Sequence, residues 1–323
     1  MRLVFMGTPE FALPSLRALV EGGYNIVGVY TRPDRLAGRG RALTPPAVKT
    51  AALDYGLPVF QPPGLRRPEA VEELASLKPD VIVVCAFGVI LRQPVLDTPA
   101  KGVLNVHPSL LPRHRGASPI AAAILAGDEQ TGVTIMLLDP GMDTGPILSQ
   151  RAVPVSPQDT SGSLGGRLAE VGAELLLEVL PRWLADEIEP QPQDDSLATY
   201  SSLLSKEDGE IDWNLPAIDI WRRVRAFNPW PGAFTTMEGQ ILHIWEAWPL
   251  SVGGAEEPGT VLSLSAEQRQ TLPPEVDEKE TLAVQTGEGL LAILRLQRAG
   301  RRSLTAAEFV RGQRDLFGRR LGP

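Results

Sequence analysis

The stretch RLVFMGTPEFALPSLRALVEGGYNIVGVY, residues 2–30, holds two apolar runs with a helical pattern between them. Residues 2–6 predict a short buried strand, and residues 25–30 predict a second one. Between them, apolar side chains recur at helical spacing over residues 9–21, and two glycines follow that segment. A strand, a helix and a second strand in this order are typical of neighbouring parallel strands in one sheet.

The alternation of strands and helices continues along the N-terminal half. Further strands are predicted at residues 59–60, 80–86, 102–106 and 133–138, and further helices at residues 47–55, 68–77, 118–126 and 161–186. Residues 31–46 are crowded with arginine, glycine and proline and predict a long loop. We therefore predict an α/β domain with a Rossmann-like, mostly parallel sheet over residues 1–188, whose site lies at the carboxyl ends of the strands.

The C-terminal half has a different pattern. Residues 189–205 are rich in proline, glutamine, aspartate and serine, which predicts a linker. After a helix at residues 218–226, short β-rich runs separated by turn signals predict a small OB-like barrel over residues 206–323. The chain is thus expected to form two domains.

The composition limits the classes of protein to which the chain can belong. It has 323 residues, a net charge of −8 and a single cysteine, Cys85, in an apolar run. One cysteine excludes a disulfide framework and a thiolate zinc cluster. No window approaches the roughly 18 uncharged apolar residues of a membrane span, and the acidic balance argues against a general nucleic-acid packager. We expect a soluble, cytoplasmic protein.

Histidine occurs only at positions 107, 114 and 243, so an imidazole catalyst must be one of these residues. His107 follows Asn105 by two residues, and in an extended segment both side chains point to the same face. An amide donor beside an imidazole suits the oxyanion that forms when an amine attacks a carbonyl-type carbon. His114 is expected on the surface and His243 in the core, and no third ligand accompanies them for a metal.

Asp143 lies in the segment LLDPGMDTG, residues 137–145, where two glycines allow a tight turn that aims a carboxylate inward. A carboxylate beside an imidazole raises the pKa of the imidazole and fixes its orientation. Through a bound water it can also accept a proton from an amine. Two alternatives stay open on these residues alone: Asp143 as an ordinary turn residue and His107 as a structural histidine.

Two motifs carry a resemblance to a known family. They are NVHPSLLP with RGA, at residues 105–112 and 115–117, and GMDTGP at residues 141–146. Together they resemble the folate-dependent formyltransferases, over essentially the whole chain. Three further segments are similar to the branch of that family that acts on charged tRNA: GTPEF at 7–11, the loop at 32–41 and FNPWP at 227–231.

The resemblance implies a reaction and the residues that perform it. A formyl group would pass from 10-formyltetrahydrofolate to the α-amine of methionine on initiator tRNA, through a tetrahedral intermediate and without a metal. Asn105, His107 and Asp143 would be catalytic, with protonated His107 and Asn105 stabilising the oxyanion. Asp143 would orient His107 and receive the amine proton through water.

Two segments are candidates for the folate site. By resemblance, the folate would be held by Ser109, Leu110, Leu111 and Pro112. The segment that follows the apolar strand at 80–86 would supply a pocket wall and backbone contacts for the pterin ring, although simple packing would explain it equally well. Its residues are Phe87, Gly88, Val89 and Ile90.

Two arginine-rich segments would bind the methionyl-tRNA. The first is a glycine-containing loop with Arg32, Arg35, Arg39 and Arg41, and the second includes Arg295, Arg298, Arg301 and Arg302. Arginine reaches phosphates and stacks on unpaired bases. Four arginines in a loop would by themselves also suit a solvated surface, and the resemblance favours the RNA contact. We expect the protein to act as a monomer.

Two other functions compete with this interpretation. A formyltransferase for a small amine, such as a nucleotide amino sugar or glycinamide ribonucleotide, would use the same catalytic residues, but it would not need the arginine-rich segments. A non-catalytic RNA-binding protein on the same fold is disfavoured because all three catalytic residue types are present.

Overall fold

The computed structural model describes residues 1–37, 42–252, 254–272 and 282–322. By its internal contacts the chain divides into two compact units, which are described separately below. The first unit comprises Met1–Ile120, Glu129–Val155 and Leu164–Ser202. The second comprises Ala121–Asp128, Ser156–Ser163 and Leu203–Pro323.

The first unit is built on a mostly parallel sheet. Its strands, within the described residues, are β1 (Leu3–Gly7), β2 (Ile26–Tyr30), β3 (Arg35–Ala37), β4 (Ala42–Thr44), β5 (Val59–Phe60), β6 (Val81–Cys85), β7 (Val103–His107), β8 (Arg115–Gly116), β9 (Gln130–Leu137), β10 (Ile147–Pro154) and β11 (Tyr200–Ser201). Seven of these described strands form one sheet in the order β10-β9-β7-β6-β1-β2-β5. The strands from β7 to β5 run parallel, whereas β9 and β10 are antiparallel to their neighbours.

Helices follow the strands as the sequence pattern predicts. Those described before residue 203 are α1 (Leu13–Glu21), α2 (Ala47–Asp54), α3 (Pro68–Ser76), α4 (Gln93–Leu96), α5 (Pro119–Ala126) and α6 (Ser161–Leu184), with short 3-10 helices at Glu10–Ala12 and Asp195–Leu197. In α1, Pro14 occupies the first turn, where a missing N–H costs no hydrogen bond, and Leu16 and Leu19 are buried. Apolar residues at helical spacing thus bury one face of this helix.

The central strands explain why the fold class could be predicted. Every residue of β1, β6 and β7 is buried. Central strands of a parallel sheet are covered on both faces, so they appear in the sequence as continuous apolar runs. The predicted Rossmann-like sheet of the N-terminal domain is confirmed.

One edge strand of the main sheet and one short strand pair were not predicted. Strand β10 forms the edge of the sheet, and its sequence ILSQRAVP buries only Leu148 and Val153. A half-exposed edge strand leaves no apolar run for a sequence pattern to detect. The short antiparallel pair β3 and β4 lies in the segment predicted as a loop, with Arg35 opposite Thr44.

The second unit contains an antiparallel sheet that forms a half-barrel, in agreement with the predicted class. Its described elements are the 3-10 helix Glu207–Gly209, α7 (Ala217–Ala226), β12 (Ala233–Met237), β13 (Gln240–Leu250), β14 (Val261–Leu262), α8 (Ala266–Gln270), β15 (Leu282–Gln285), β16 (Leu290–Arg298), β17 (Leu304–Thr305) and α9 (Ala306–Arg311). The described strands have the order β12-β13-β16-β15-β14, and β17 pairs with β16. A buried apolar cluster from the sheet, α7 and α9 forms the core of this unit.

Residues 189–202, which the composition predicts as a linker, form part of the first unit. Gln191 pairs with Ile147 as an isolated bridge, and β11 runs parallel to β8. Proline and polar residues suggest a mobile connection, but here the backbone pairs with neighbouring strands at Gln191 and at Tyr200–Ser201, and the side chains of Gln193 and Asp195 accept hydrogen bonds from Arg115. The last boundary between the two units falls between Ser202 and Leu203, close to the predicted end of the linker, whereas residues 121–128 and 156–163 of the predicted N-terminal domain belong to the second unit.

No helix in the described part of the chain combines the length and the apolar character that a membrane crossing requires.

Candidate active site

Asn105 and His107 lie on β7, at the carboxyl end of a central strand. Asn105 is opposite Met136 and His107 opposite Thr134 on the antiparallel neighbour β9. Because β7 is regular from Val103 to His107, positions 105 and 107 share a face, as the two-residue spacing predicts. Both side chains are buried, with 9% and 4% of the residue surface exposed.

The two ring nitrogens of His107 have different partners. Nε2 lies 3.2 Å from the backbone oxygen of His114, and Nδ1 lies 3.7 Å from Oδ2 of Asp143. A carbonyl oxygen only accepts, so Nε2 carries the proton that is donated to it. In the neutral imidazole Nδ1 is therefore the basic nitrogen, and it faces the Asp143 carboxylate.

Burial lowers the pKa of His107 below its usual value, and the nearby Asp143 carboxylate opposes this shift without cancelling it. An imidazole with 4% of its surface exposed has lost most of the water that would solvate its cation. Burial thus favours the neutral imidazole, and the adjacent carboxylate favours its cation. The protonated His107 that the resemblance implies is a form of the ring during the reaction, and it stays a prediction.

Asp143 is held in a turn by its own side chain and by its neighbours. Its backbone has a φ of 53°, in the left-handed region that Asp and Asn tolerate better than most residues. The backbone N–H of Gly116 donates to Oδ2 at 2.8 Å. Earlier in the turn, Asp139 Oδ1 accepts from Gly141 N at 3.0 Å and from Thr144 Oγ1 at 2.7 Å. The carboxylate is thus aimed inward, as the two glycines of the segment predict.

The turn after β7 carries the predicted folate-binding residues Ser109, Leu110, Leu111 and Pro112. Ser109 is fully buried, and its Oγ donates to the backbone oxygen of Arg113 at 2.6 Å. The backbone N–H of Leu111 is also used, because it donates to Oγ1 of Thr134 at 3.1 Å. The partly exposed side chains among these four are those of Leu110 and Pro112. Ser109 and Leu111 shape the turn, and Leu110 and Pro112 offer its apolar surface.

The segment after β6 contains Phe87, Gly88, Val89 and Ile90. Phe87 is buried and packs in the core, whereas Ile90 is 73% exposed. The backbone oxygen of Phe87 accepts from Thr8 Oγ1 at 2.9 Å, and that of Gly88 accepts from Arg32 Nη1 at 3.1 Å. These two carbonyls already accept hydrogen bonds. What this loop exposes is the apolar side chain of Ile90.

The two arginine segments differ in how much of each the structure describes. Arg32 donates to Gly88, and Arg35 is exposed on β3. Arg39 and Arg41 lie outside the described residues.

In the second unit, a groove of about 600 Å³ is lined by residues of β16, the following turn, β17, α9 and the residues just after α9. Its lining residues are Arg298, Gly300, Arg301, Arg302, Leu304, Phe309 and Gln313. The guanidinium of Arg298 stacks over the Phe309 ring at 5.5 Å and donates to Gln313 at 2.8 Å. Three of the four predicted arginines of this segment thus lie around one groove.

Several arginines of the basic C-terminal segment face carboxylates. Arg295 pairs with Glu246, Arg302 with Glu308, Arg319 with Glu238 and Arg320 with Glu257. The sequence alone suggests a larger basic excess than these pairs leave, because three of the four carboxylates, Glu238, Glu246 and Glu257, are distant in sequence from their arginines.

A buried arginine and a glutamine lie next to the Asp143 turn. Arg115, with 1% of its surface exposed, donates to Oε1 of Gln193, and Gln193 Nε2 donates to backbone oxygens of the Asp143 turn. Sequence analysis missed Gln193 because it lies in the polar segment predicted as a linker. Arg115 belongs to the RGA motif at residues 115–117, but the sequence pattern assigns it no role of its own.

Among the described residues, no group of three or more His, Cys, Asp or Glu side chains is arranged to hold a metal ion.

Comparison with known proteins identifies the family of the chain. The family described as formyl transferase matches residues 1–180, and the family described as formyl transferase, C-terminal domain, matches residues 203–272 and 274–314. The chain belongs to the formyl transferase family. A methionyl-tRNA formyltransferase of Dehalococcoides mccartyi is 50% identical over 322 residues, which cover 100% of this chain and 99% of the relative. This formyl transferase therefore falls on the branch of the family that bears that name.

Two solved structures share the fold. WlaRD, a sugar 3N-formyl transferase studied in the presence of dTDP and 5-N-formyl-THF, has a TM-score of 0.65 and 16% identity and covers 94% of this chain and 99% of its own. HypX from Aquifex aeolicus in complex with tetrahydrofolic acid has a TM-score of 0.59 and 20% identity. That match covers 96% of this chain and 47% of HypX, so this chain spans about half of HypX. At these identities the likeness shows the fold.

Proposed function

We propose that this formyl transferase moves the formyl group of 10-formyltetrahydrofolate to the α-amine of methionine on initiator tRNA, in translation initiation in the cytoplasm. One observation carries the proposal. Asp143 Oδ2 lies 3.7 Å from Nδ1 of His107, and His107 shares strand β7 with Asn105. The name of the relative that is 50% identical over the full chain supports the tRNA acceptor.

The reaction needs a neutral amine, a place for its proton and a donor for the developing oxyanion. A bond forms between the amine nitrogen and the formyl carbon, and the bond from that carbon to the folate nitrogen breaks. The amine loses one proton, and the folate nitrogen gains one. No redox partner is needed for this balance.

The neutral imidazole suits the first half of this exchange. His107 Nδ1 is the basic atom of the ring, and it accepts the amine proton through water. The imidazolium that results lies beside the Asp143 carboxylate, which stabilises it. The positive charge on His107 thus appears at the same stage as the negative charge on the formyl oxygen. Stabilisation that is specific to the transition state accelerates the chemical step.

Asn105 supplies the uncharged donor. Its amide can donate to the developing oxyanion without titrating, and a fixed donor of this kind typically contributes about 3 kcal/mol. Its position two residues before His107 on a buried strand restricts its rotation. The folate nitrogen then receives its proton from the imidazolium, which returns the ring to its neutral form.

The folate substrate would rest on apolar surface at the carboxyl ends of β6 and β7. Leu110, Pro112, Val89 and Ile90 present such surface, and a pterin ring is flat and largely apolar on its faces. Phe87, Gly88, Ser109 and Leu111 support these loops through burial and backbone bonds.

The tRNA would be held by arginines of both segments. The proposed N-terminal contact consists of Arg32, Arg35, Arg39 and Arg41. The proposed contact of the second unit consists of Arg295, Arg298, Arg301 and Arg302. The groove beside Arg298 offers guanidinium groups and one aromatic ring, a combination that suits phosphates and unstacked bases. The protein is proposed to act as a monomer without a metal ion.

The experiment that tests this function is a formyl-transfer assay with 10-formyltetrahydrofolate. Methionine-charged initiator tRNA, charged elongator tRNA and a nucleotide amino sugar serve as parallel acceptors. Transfer to the initiator tRNA alone is the expected result. Transfer to the amino sugar, with none to tRNA, would assign the site to a small amine.

A further inference from the structure

Gln193 links a buried arginine to the catalytic turn. Its Oε1 accepts from Arg115 Nε at 3.0 Å and from Arg115 Nη2 at 2.8 Å. Its Nε2 donates to the backbone oxygen of Asp143 at 2.8 Å and to that of Gly145 at 2.7 Å. The amide therefore uses both of its ends, with two bonds at each end.

The orientation of this amide is fixed by the chemistry of its partners. Arginine only donates and a carbonyl only accepts, so a flipped amide would place donors against donors and acceptors against acceptors. Arg115 is itself fixed, because it has 1% of its surface exposed and its Nη2 also lies 2.7 Å from Asp195 Oδ1. Arg115 thus fixes the oxygen end of the Gln193 amide, and the nitrogen end of the same amide bonds to the Asp143 turn.

The two carbonyls that Gln193 contacts belong to Asp143, the strained residue of the turn, and to Gly145 two residues later. Asp143 has a φ of 53°, a conformation that costs free energy and persists when its surroundings impose it. The Gly116 N–H holds the carboxylate at Oδ2, whereas Gln193 holds the backbone on the other side of the same residue. Together they fix both ends of Asp143.

We propose that Gln193, supported by Arg115, is a positioning residue that keeps the Asp143 carboxylate at its distance from His107. This inference rests on the proposed formyl transfer. Gln193 does not touch the reacting atoms and acts through the backbone of Asp143. A displacement of about 1 Å in a reacting group typically lowers a rate about 100-fold. Loss of the hydrogen bonds made by Gln193 should therefore lower kcat rather than weaken substrate binding.

Three variants separate positioning from a merely structural role. Gln193→Ala removes both sets of bonds. Gln193→Glu keeps an acceptor for Arg115 but places a carboxylate oxygen against the two carbonyls that need a donor. Gln191→Ala is the matched control, because Gln191 lies two residues away and its side chain contacts only Glu189 of the same exposed segment.

Steady-state kinetics with both substrates give the main readout. For Gln193→Ala and Gln193→Glu we expect kcat to fall about 10- to 100-fold, with each KM within about three-fold of wild type. Gln191→Ala is expected to match wild type. A wild-type kcat in both Gln193 variants would overturn the proposal. Full rescue by Gln193→Glu would also overturn it, because only the Arg115 contact would then matter.

A second readout does not depend on activity. Asp143 raises the pKa of His107, so a displaced carboxylate leaves that pKa lower. NMR titration of the His107 ring in Gln193→Ala should show the decrease, and an unchanged titration would contradict the displacement. If the wild-type protein transfers no formyl group, the proposed function fails, whereas an active wild type with unaffected Gln193 variants refutes the positioning role alone.

Discussion

Oδ2 of Asp143 lies 3.7 Å from Nδ1 of His107, which is too long for a hydrogen bond and close enough for strong electrostatic coupling. The same oxygen accepts the Gly116 N–H at 2.8 Å. At this separation a proton can add to Nδ1 of His107, and the nearby carboxylate then stabilises the imidazolium. The pair is therefore arranged for the charged state that forms during transfer.

Replacing the carboxylate without changing its shape tests this arrangement. Asp143→Asn keeps an oxygen for the Gly116 N–H and suits the left-handed backbone, since Asn tolerates it as well as Asp. We expect kcat to fall by about 100-fold or more, the range of general acid–base catalysis. Single-turnover kinetics would measure the loss. Asp139→Asn, in the same turn but directed at Gly141 and Thr144, is the control and should stay within about three-fold of wild type.

The protonation state of His107 can be measured in the free protein. Because burial lowers its pKa, NMR titration should place the His107 transition below 6.5, and Asp143→Asn should lower it further. As the pH falls below about 6.5, His107 takes up its proton in the unfolded chain before it does so in the folded protein. His107 therefore reduces the free energy of unfolding at acid pH and not at neutral pH. A transition above 6.5 would show that the carboxylate dominates over burial.

Asn105 should act on the rate and not on binding. Asn105→Ala removes the proposed oxyanion donor, and we expect kcat to fall about 100- to 1000-fold, which corresponds to about 3–4 kcal/mol. The KM for the folate should change little. Asn214→Ala, whose side chain bonds to the exposed Asp212, is a control for the same substitution. Equal losses in kcat and folate affinity would indicate a binding role instead.

The groove arginines predict a change in the salt dependence of tRNA binding. Neutralising Arg298, Arg301 and Arg302 to Gln should weaken tRNA binding and reduce the slope of log K against log salt by about 2–3, since each phosphate contact contributes about 0.7–0.9. Filter binding at several salt concentrations measures the slope. Arg17→Gln with Arg151→Gln is the control, because both of these arginines pair with glutamates. An unchanged slope in the triple variant would remove this groove from the interface.

Gly116 predicts a stability effect that also reaches the site. Its φ is 113°, and a Cβ there would clash with the backbone oxygen of Ser201. Gly116→Ala should lower the free energy of unfolding by about 1–3 kcal/mol and also lower kcat, because the N–H that holds Asp143 must move. Gly166→Ala in α6 has open space around the new Cβ and should be neutral or stabilising by up to about 1 kcal/mol. Thermal unfolding compares the two variants.

The catalytic strand could be predicted because its environment is uniform. β7 is buried along its whole length, so apolar residues mark it and the polar exceptions, Asn105 and His107, stand out. Asp143 could be placed because glycines mark its turn. The net direction of the His107 pKa shift could not be predicted, because it depends on how completely the ring is buried, and a local sequence pattern does not contain that information.

Other parts of the site depend on contacts between distant segments. Gln193 reaches the Asp143 turn from 50 residues away in sequence, and no local pattern marks such a contact. Arg295 and Arg320 pair with the distant Glu246 and Glu257, which lowers the basic excess that the number of arginines suggests. Edge strand β10 buries too few residues to be recognised.

The segment from 189 to 202 shows how a composition can conceal a constraint. Gln191 is paired with Ile147, Gln193 clamps the Asp143 turn and β11 runs along β8. A true connector tolerates insertions and deletions, because only its ends are fixed. Here a residue added or removed between Gln191 and Tyr200 would change the spacing between contacts that are each fixed to a different strand or turn, so the length of this stretch should be nearly invariant.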